Sequence, residues 1–152
     1  MLKVKVGYPS REEERQILDR VADGPEVEVE SVVSLEDIRG AREAVKLVYM
    51  DDKIKDYIVT LVHATRFPTE VDLEDMVDLI EHGSSPRATI FLARAARAHA
   101  FVRRRGYVTP EDVKAVGADV LRHRLVVSYE AEAEEVDAEH IIQRLFDHVE
   151  VP

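Results

Sequence analysis

Between Asp51 and Thr65 the side chains follow a spacing that an α-helix gathers onto one face. Ile54, Tyr57, Ile58, Leu61, Val62 and Thr65 stand at i, i+3, i+4, i+7, i+8 and i+11. Such a stripe has to be buried against something, so the chain must supply other helices with complementary stripes. Asp51 or Asp52 starts this helix, and it ends near Arg66, ahead of Pro68.

The complementary stripes are present, and most carry their own start and stop signals. Ser10-Arg11-Glu12-Glu13 matches a capping box, Glu12 to Glu14 suit the positive end of the helix dipole, and Ile17, Leu18 and Val21 follow before Asp23-Gly24-Pro25 stops the helix. Ser34 caps a helix carrying Leu35, Ile38, Ala41 and Val45, weakened by Gly40. A short helix with Leu73, Met76, Val77 and Ile80 on one face is expected to end at Gly83. Ser85 as N-cap and Pro86 at the first helical position open the longest helix, about 86–105, with Ala88, Phe91, Leu92, Ala95, Ala98 and Val102 on one face and Arg103 to Gly106 at its end. Thr109-Pro110-Glu111-Asp112 starts another, with Val113, Val116, Val120 and Leu121 as its stripe. Asp137 caps a last helix, about 138–148, carrying Ile141, Ile142, Leu145 and Phe146.

Three short pieces read as extended: Leu2 to Val6 and residues 26–33 by alternation, and Leu125 to Tyr129. They are not interleaved with helices as βαβ units, which argues against a doubly wound sheet. The expected fold is mainly α, a helical bundle with a few short strands. The Leu2–Val6 strand, with its open edge, is expected to pair with another extended piece or with a second copy.

Composition narrows the function. The chain has 152 residues, a span that fits one domain or one domain with an appendage, and no cysteine, which excludes a disulfide scaffold, a thiolate metal site and a cysteine nucleophile. A formal charge of −10 repels phosphate backbones and disfavours non-specific nucleic-acid binding. No apolar run is long enough to span a membrane, and no signal-peptide core opens the chain, so a cytoplasmic protein is the default expectation. There is no phosphate-cradling G-x-x-x-x-G-K-[ST] loop, no G-x-G-x-x-G, no G-x-S-x-G and no H-E-x-x-H. The six histidines are scattered and form no i, i+4 pair, so no metal site is expected.

One residue breaks the charge pattern. Arg87 sits in the first turn of the Pro86 helix, where the dipole opposes a cation by about 0.3–1 kcal/mol. Either it is a solvated arginine, or one paired with an acid such as Glu81, or it is aimed at an anion. Arg94 lies seven residues on, on the same face, with Arg97 adjacent. A row of guanidinium groups beginning at a helix N-terminus can meet phosphate oxygens bidentately.

Several blocks, in register over essentially the whole chain, resemble the C-terminal part of MoxR-family AAA+ ATPases: Gly83-Ser84-Ser85-Pro86-Arg87-Ala88-Thr89, Gly106-Tyr107-Val108-Thr109-Pro110-Glu111-Asp112-Val113, and Val120-Leu121-Arg122-His123-Arg124-Leu125. Lys3-Val4-Lys5-Val6-Gly7-Tyr8-Pro9-Ser10 and Val48-Tyr49-Met50-Asp51 fit the same family. The resemblance implies a bundle of the AAA+ lid type, in a part of a longer protein whose N-terminal core would carry the P-loop, the Walker B acids and an arginine finger. Residues 1–8 would then be the last strand of that core plus a hinge at Gly7-Tyr8-Pro9-Ser10, and residues 9–152 the helical lid with its C-terminal helix. Arg87 would be the sensor 2 residue, reaching the γ-phosphate of ATP, with Ser85 and Pro86 beside it in the nucleotide-binding turn.

Further expectations follow from the resemblance. The parent would be an ATPase using ATP and Mg, with no turnover and no bound nucleotide in this part alone. Partners would be its own core, neighbouring protomers in a ring, commonly a hexamer, and von Willebrand factor A-domain proteins, in chaperone-like protein maturation. The competing expectations are a helical protein-interaction module and a nucleic-acid-binding one, in which the helices ending at Arg103–Arg105 and Arg122–Arg124 would form a helix-turn-helix.

Overall fold

The structure, a computed structural model, describes residues 1–22, 24 and 28–152. Its α-helices are α1 (Arg11–Val21), α2 (Leu35–Leu47), α3 (Asp52–Ala64), α4 (Pro86–Val102), α5 (Pro110–Leu121), α6 (Tyr129–Ala133) and α7 (Ala138–His148). Two short strands, β1 (Ile80–His82) and β2 (Val126–Val127), pair antiparallel, with Ile80 opposite Val127 and His82 opposite Val126. The mainly helical architecture read from the sequence is the observed one.

The caps form as the sequence predicts. Ser10 and Glu13 close a capping box on α1, Ser34 and Asp37 close one on α2, Asp51 accepts from the Lys53 amide at α3, and Asp137 accepts from the His140 amide at α7. The α3 stripe is buried along its length, with Ile58, Leu61 and Val62 at 1% exposure or less. It packs on α4, which in turn packs most extensively on α5, and α7 closes the bundle with Ile141, Ile142, Leu145 and Phe146. The α4–α5 approach is close because α4 offers alanines: Ala88, Ala95, Ala96 and Ala100 are buried beside Leu92. On α5, Gly117 lies against the Phe146 ring, where an added Cβ would come within 2.1 Å of its Cζ.

The core begins at Val48. Among the described residues, none before it is buried, and α1 and α2 leave Leu18, Val21 and Leu35 largely exposed. Of the expected helix stop at Asp23-Gly24-Pro25, Asp23 and Pro25 lie outside the described residues, as do Glu26 and Val27 of the expected extended segment; residues 28–33 are exposed and join no sheet.

Four expectations are corrected. Leu2–Val6 forms no strand and pairs with no extended piece; the Lys3 amide donates to the Asp119 carbonyl at 2.8 Å, and Lys5 pairs with Glu139, so the segment lies against α5 and α7. The short helix before Gly83 is instead two 3₁₀ turns, Pro68–Val71 and Glu74–Met76, followed by β1; the left-handed backbone of Asp72 separates the turns. Leu73 and Met76 are buried as expected, but Val77 is 44% exposed and Ile80 sits in β1. Gly83 caps no helix. It lets the chain cross the end of α3, where a Cβ would stand 2.2 Å from the Thr65 carbonyl oxygen. Finally, α4 stops at Val102, which is exposed, because Arg104 takes a left-handed conformation (φ 59°) and Arg105 and Arg104 donate to the carbonyls of Ala100 and Phe101. That is a Schellman ending with Arg104, not Gly106, at the left-handed position.

Candidate functional site

The N-terminus of α4 is fixed by its approach segment. Ser84 is fully buried; its amide donates to Thr65 Oγ1 at 2.8 Å and its hydroxyl to the Arg124 carbonyl at 3.3 Å. The Arg66 guanidinium donates to the Ser84 carbonyl. The end of α3, the segment after α5 and the start of α4 therefore meet at one residue. Ser85 follows as N-cap, but its hydroxyl makes no capping bond, and Pro86 takes the first helical position without a donor to satisfy.

Charge at this end runs against the rest of the molecule. Each of the six other helices carries an acid in its first turn, as the dipole favours. Helix α4 carries none there; it carries Arg87, exposed to solvent. Glu81, the acid that a paired reading needs, faces His82 at 3.7 Å, and among the described residues no ion pair or hydrogen bond engages Arg87.

Arg124, 37 residues further on, lies within electrostatic reach of Arg87 and lies over the Phe91 ring of α4, 5.0 Å from its centroid. Its pKa is lowered, first by burial and then by repulsion from Arg87, though a guanidinium stays charged regardless. His123 is likewise pushed down, first by burial and then by Arg124, the Met1 amino group, Lys3 and Arg122. A chain of charge −10 thus places Arg66, Arg87 and Arg124 around one helix N-terminus. Donors and positive charge converging there are the ingredients of an anion site.

Ser85, Pro86 and Arg87, singled out from the sequence, are the N-cap and first two residues of α4. Sequence reasoning did not connect Arg124 or Arg66 to them, since that juxtaposition depends on the crossing at Ser84. Arg94 is exposed and Arg97 partly so further along α4. A second cluster, also unforeseen, is structural: fully buried Asp112 accepts from both terminal nitrogens of Arg105, the amide and hydroxyl of Thr109 and the His99 ring. Among the described residues no group of three or more His, Asp or Glu converges as metal ligands, and no helix is long and apolar enough to cross a membrane.

Comparison with known proteins agrees with this architecture. Residues 76–145 match the AAA lid domain family. The whole chain is 40% identical to the chaperone MoxR1 of Mycobacterium tuberculosis and 35% identical to the uncharacterized protein YeaC of Bacillus subtilis, spanning 40% and 45% of their lengths. A shorter match, 32% identical over 105 residues, is to the protein MoxR of Methylorubrum extorquens. A crystal structure of an inferred ATPase from Cytophaga hutchinsonii superposes on the entire chain with a TM-score of 0.93 at 38% identity; the chain covers 46% of it. The chain spans less than half the length of these full-span relatives.

Proposed function

Because this chain belongs to the lid region of the MoxR family of AAA+ ATPases, with an AAA lid domain at residues 76–145, we propose that it supplies the sensor 2 arginine of such an ATPase. Arg87 is that residue. The observation that carries the reading is the first turn of α4, where the helix rule followed everywhere else is inverted and the cation has no counter-ion among the described residues. A polyphosphate is the partner that removes both penalties.

ATP with Mg is held, in this reading, by an N-terminal core; the residues here contribute the cationic side of the site, with Ser85 and Pro86 shaping the turn. ATP supplies the phosphoryl group and the metal neutralises part of its charge. Arg87 places a fixed positive charge where negative charge spreads over the transferring group, which is worth more in the transition state than in the ground state. Residues 1–8 belong with the core and the hinge, and as nucleotide is exchanged the bundle turns on that hinge and the Lys3–Asp119 and Lys5–Glu139 contacts part. Assembly into a ring with neighbouring protomers, and work on other proteins alongside von Willebrand factor A-domain partners in the cytoplasm, complete the reading. The exposed apolar residues of α1 and α2 support a missing neighbour in the assembled protein.

The test joins this chain to a P-loop core from a full-length relative and measures ATP turnover. Arg87→Ala is expected to lower kcat by about 10²-fold or more, and Arg87→Lys to recover only part of it. Turnover that is the same in Arg87→Ala as in the parent overturns the sensor role.

A further inference from the structure

A groove of about 310 Å³ runs between α3 and α4. Val59 and Ile90, 50% and 52% exposed, and Ala93 give it an apolar surface, while Lys55, Arg94 and Arg97 rim it. Lys55 is committed to Asp52 at 2.6 Å. Arg94 and Arg97 carry unbalanced charge: neither is in an ion pair among the described residues, and the Arg97 Nε is buried without a hydrogen-bond partner. An apolar strip flanked by two free guanidinium groups, on a molecule of charge −10, calls for an occupant that is acidic and presents a branched apolar side chain.

The chain carries such an occupant itself. From Pro68 to Pro86 there is no lysine or arginine, and Glu70, Asp72, Glu74, Asp75 and Asp78 cluster around the two 3₁₀ turns. Asp75 is paired with Arg144 at 2.6 Å and Glu70 faces His63 at 3.4 Å, while Asp72, Glu74 and Asp78 enter no ion pair among the described residues. In their midst Val77 is exposed, although Met76 before it and Leu79 after it are buried.

We propose that the α3–α4 groove of one copy receives the acidic 72–78 segment of a second copy, Val77 lying on Val59 and Ile90 and the free acids facing Arg94 and Arg97. Two different surfaces meet, so the contact is heterologous and passes from copy to copy until the arrangement closes. The proposal rests on the assembly half of the function given above and names its surface; it is independent of the nucleotide role of Arg87.

Sedimentation velocity on the 152-residue chain tests it. At about 100 µM the chain is expected to self-associate with an affinity between about 1 µM and about 100 µM, weakening as salt rises and the screening length shortens from about 10 Å at 0.1 M to about 3 Å at 1 M. Two surface variants separate the surfaces: R94Q with R97Q removes the groove's charge, and E74K with D78K reverses the segment's, leaving the left-handed Asp72 untouched. Each alone is expected to be monomeric with an unchanged circular dichroism spectrum, and an equal mixture to form one-to-one dimers that grow no further, since each pair keeps one intact contact. A parent chain that stays monomeric overturns the proposal together with lid-mediated assembly. A parent that assembles while both variants assemble equally well overturns this surface alone.

Discussion

Asp112 holds Arg105 through both carboxylate oxygens, at 2.7 and 2.5 Å, from a position with no solvent exposure. The same carboxylate caps α5 through the Thr109 amide at 2.8 Å and meets the His99 ring of α4 at 2.7 Å. It therefore ties together the end of one helix, the start of the next and the flank between them. Removing it strands a partly buried guanidinium and uncaps α5. Asp112→Ala is expected to destabilise the chain by about 3–5 kcal/mol, read as a lower urea midpoint with an unchanged slope.

The same residue sets an acid limit. Burial alone raises the Asp112 pKa, but hydrogen bonds from Arg105, the Thr109 amide and His99 outweigh it and hold the carboxyl well below the usual carboxylate range. A folded-state value below the unfolded one, which is about 3.9, gives stability that is complete above that pH and is lost as pH falls toward the folded value. Thermal midpoints of the parent are therefore expected to drop below about pH 4, and the difference between the parent and Asp112→Asn to shrink over the same interval. A constant difference down to about pH 2 contradicts this assignment.

Two helical glycines are expected to respond in opposite directions to alanine. Gly40, in α2, has no atom within 4 Å of an added Cβ, so Gly40→Ala stabilises by up to about 1 kcal/mol through helix propensity. At Gly117 the Cβ would meet Phe146 carbons at 2.1 and 2.5 Å, and overpacking a ring held in the core costs about 1–3 kcal/mol. Thermal melts of the two single variants should bracket the parent.

Protection from hydrogen exchange is expected to rise in steps along the chain. Helix α1 has 11 residues and no buried side chain, so its amides depend on capping and marginal helix stability, whereas α2 buries no side chain fully but packs on α4. Exchange followed by mass spectrometry should show α1 near the unprotected limit, α2 intermediate, and α3, α4 and α5 exchanging with the global unfolding event.

Much of this was readable from residue order because the information is local. The Ser10 and Ser34 boxes, Pro86 at its helix start and the α7 stripe each depend on neighbours within a turn or two, and each appears where the pattern places it. The readings that changed depended on contacts distant in sequence. Leu2–Val6 alternates like a strand, yet its backbone meets Asp119 instead of a sheet edge. Ile80 continues a helical spacing, yet it pairs with Val127. Arg87 stood out through its clash with the dipole, a one-turn signal, whereas its neighbour Arg124 is 37 residues away and no periodicity links them. Asp112 was legible as a cap but not as the buried hub of Arg105 and His99, because a cap and a hub look the same in a sequence.

The bracing of Ser84 has a mechanical consequence. With Thr65, Arg66 and Arg124 all fastened to that single residue, the first turn of α4 has no swivel of its own. The backbone of Arg87 therefore travels with the end of α3 and the segment after α5, and its exposed side chain swings from a base that those two elements hold still.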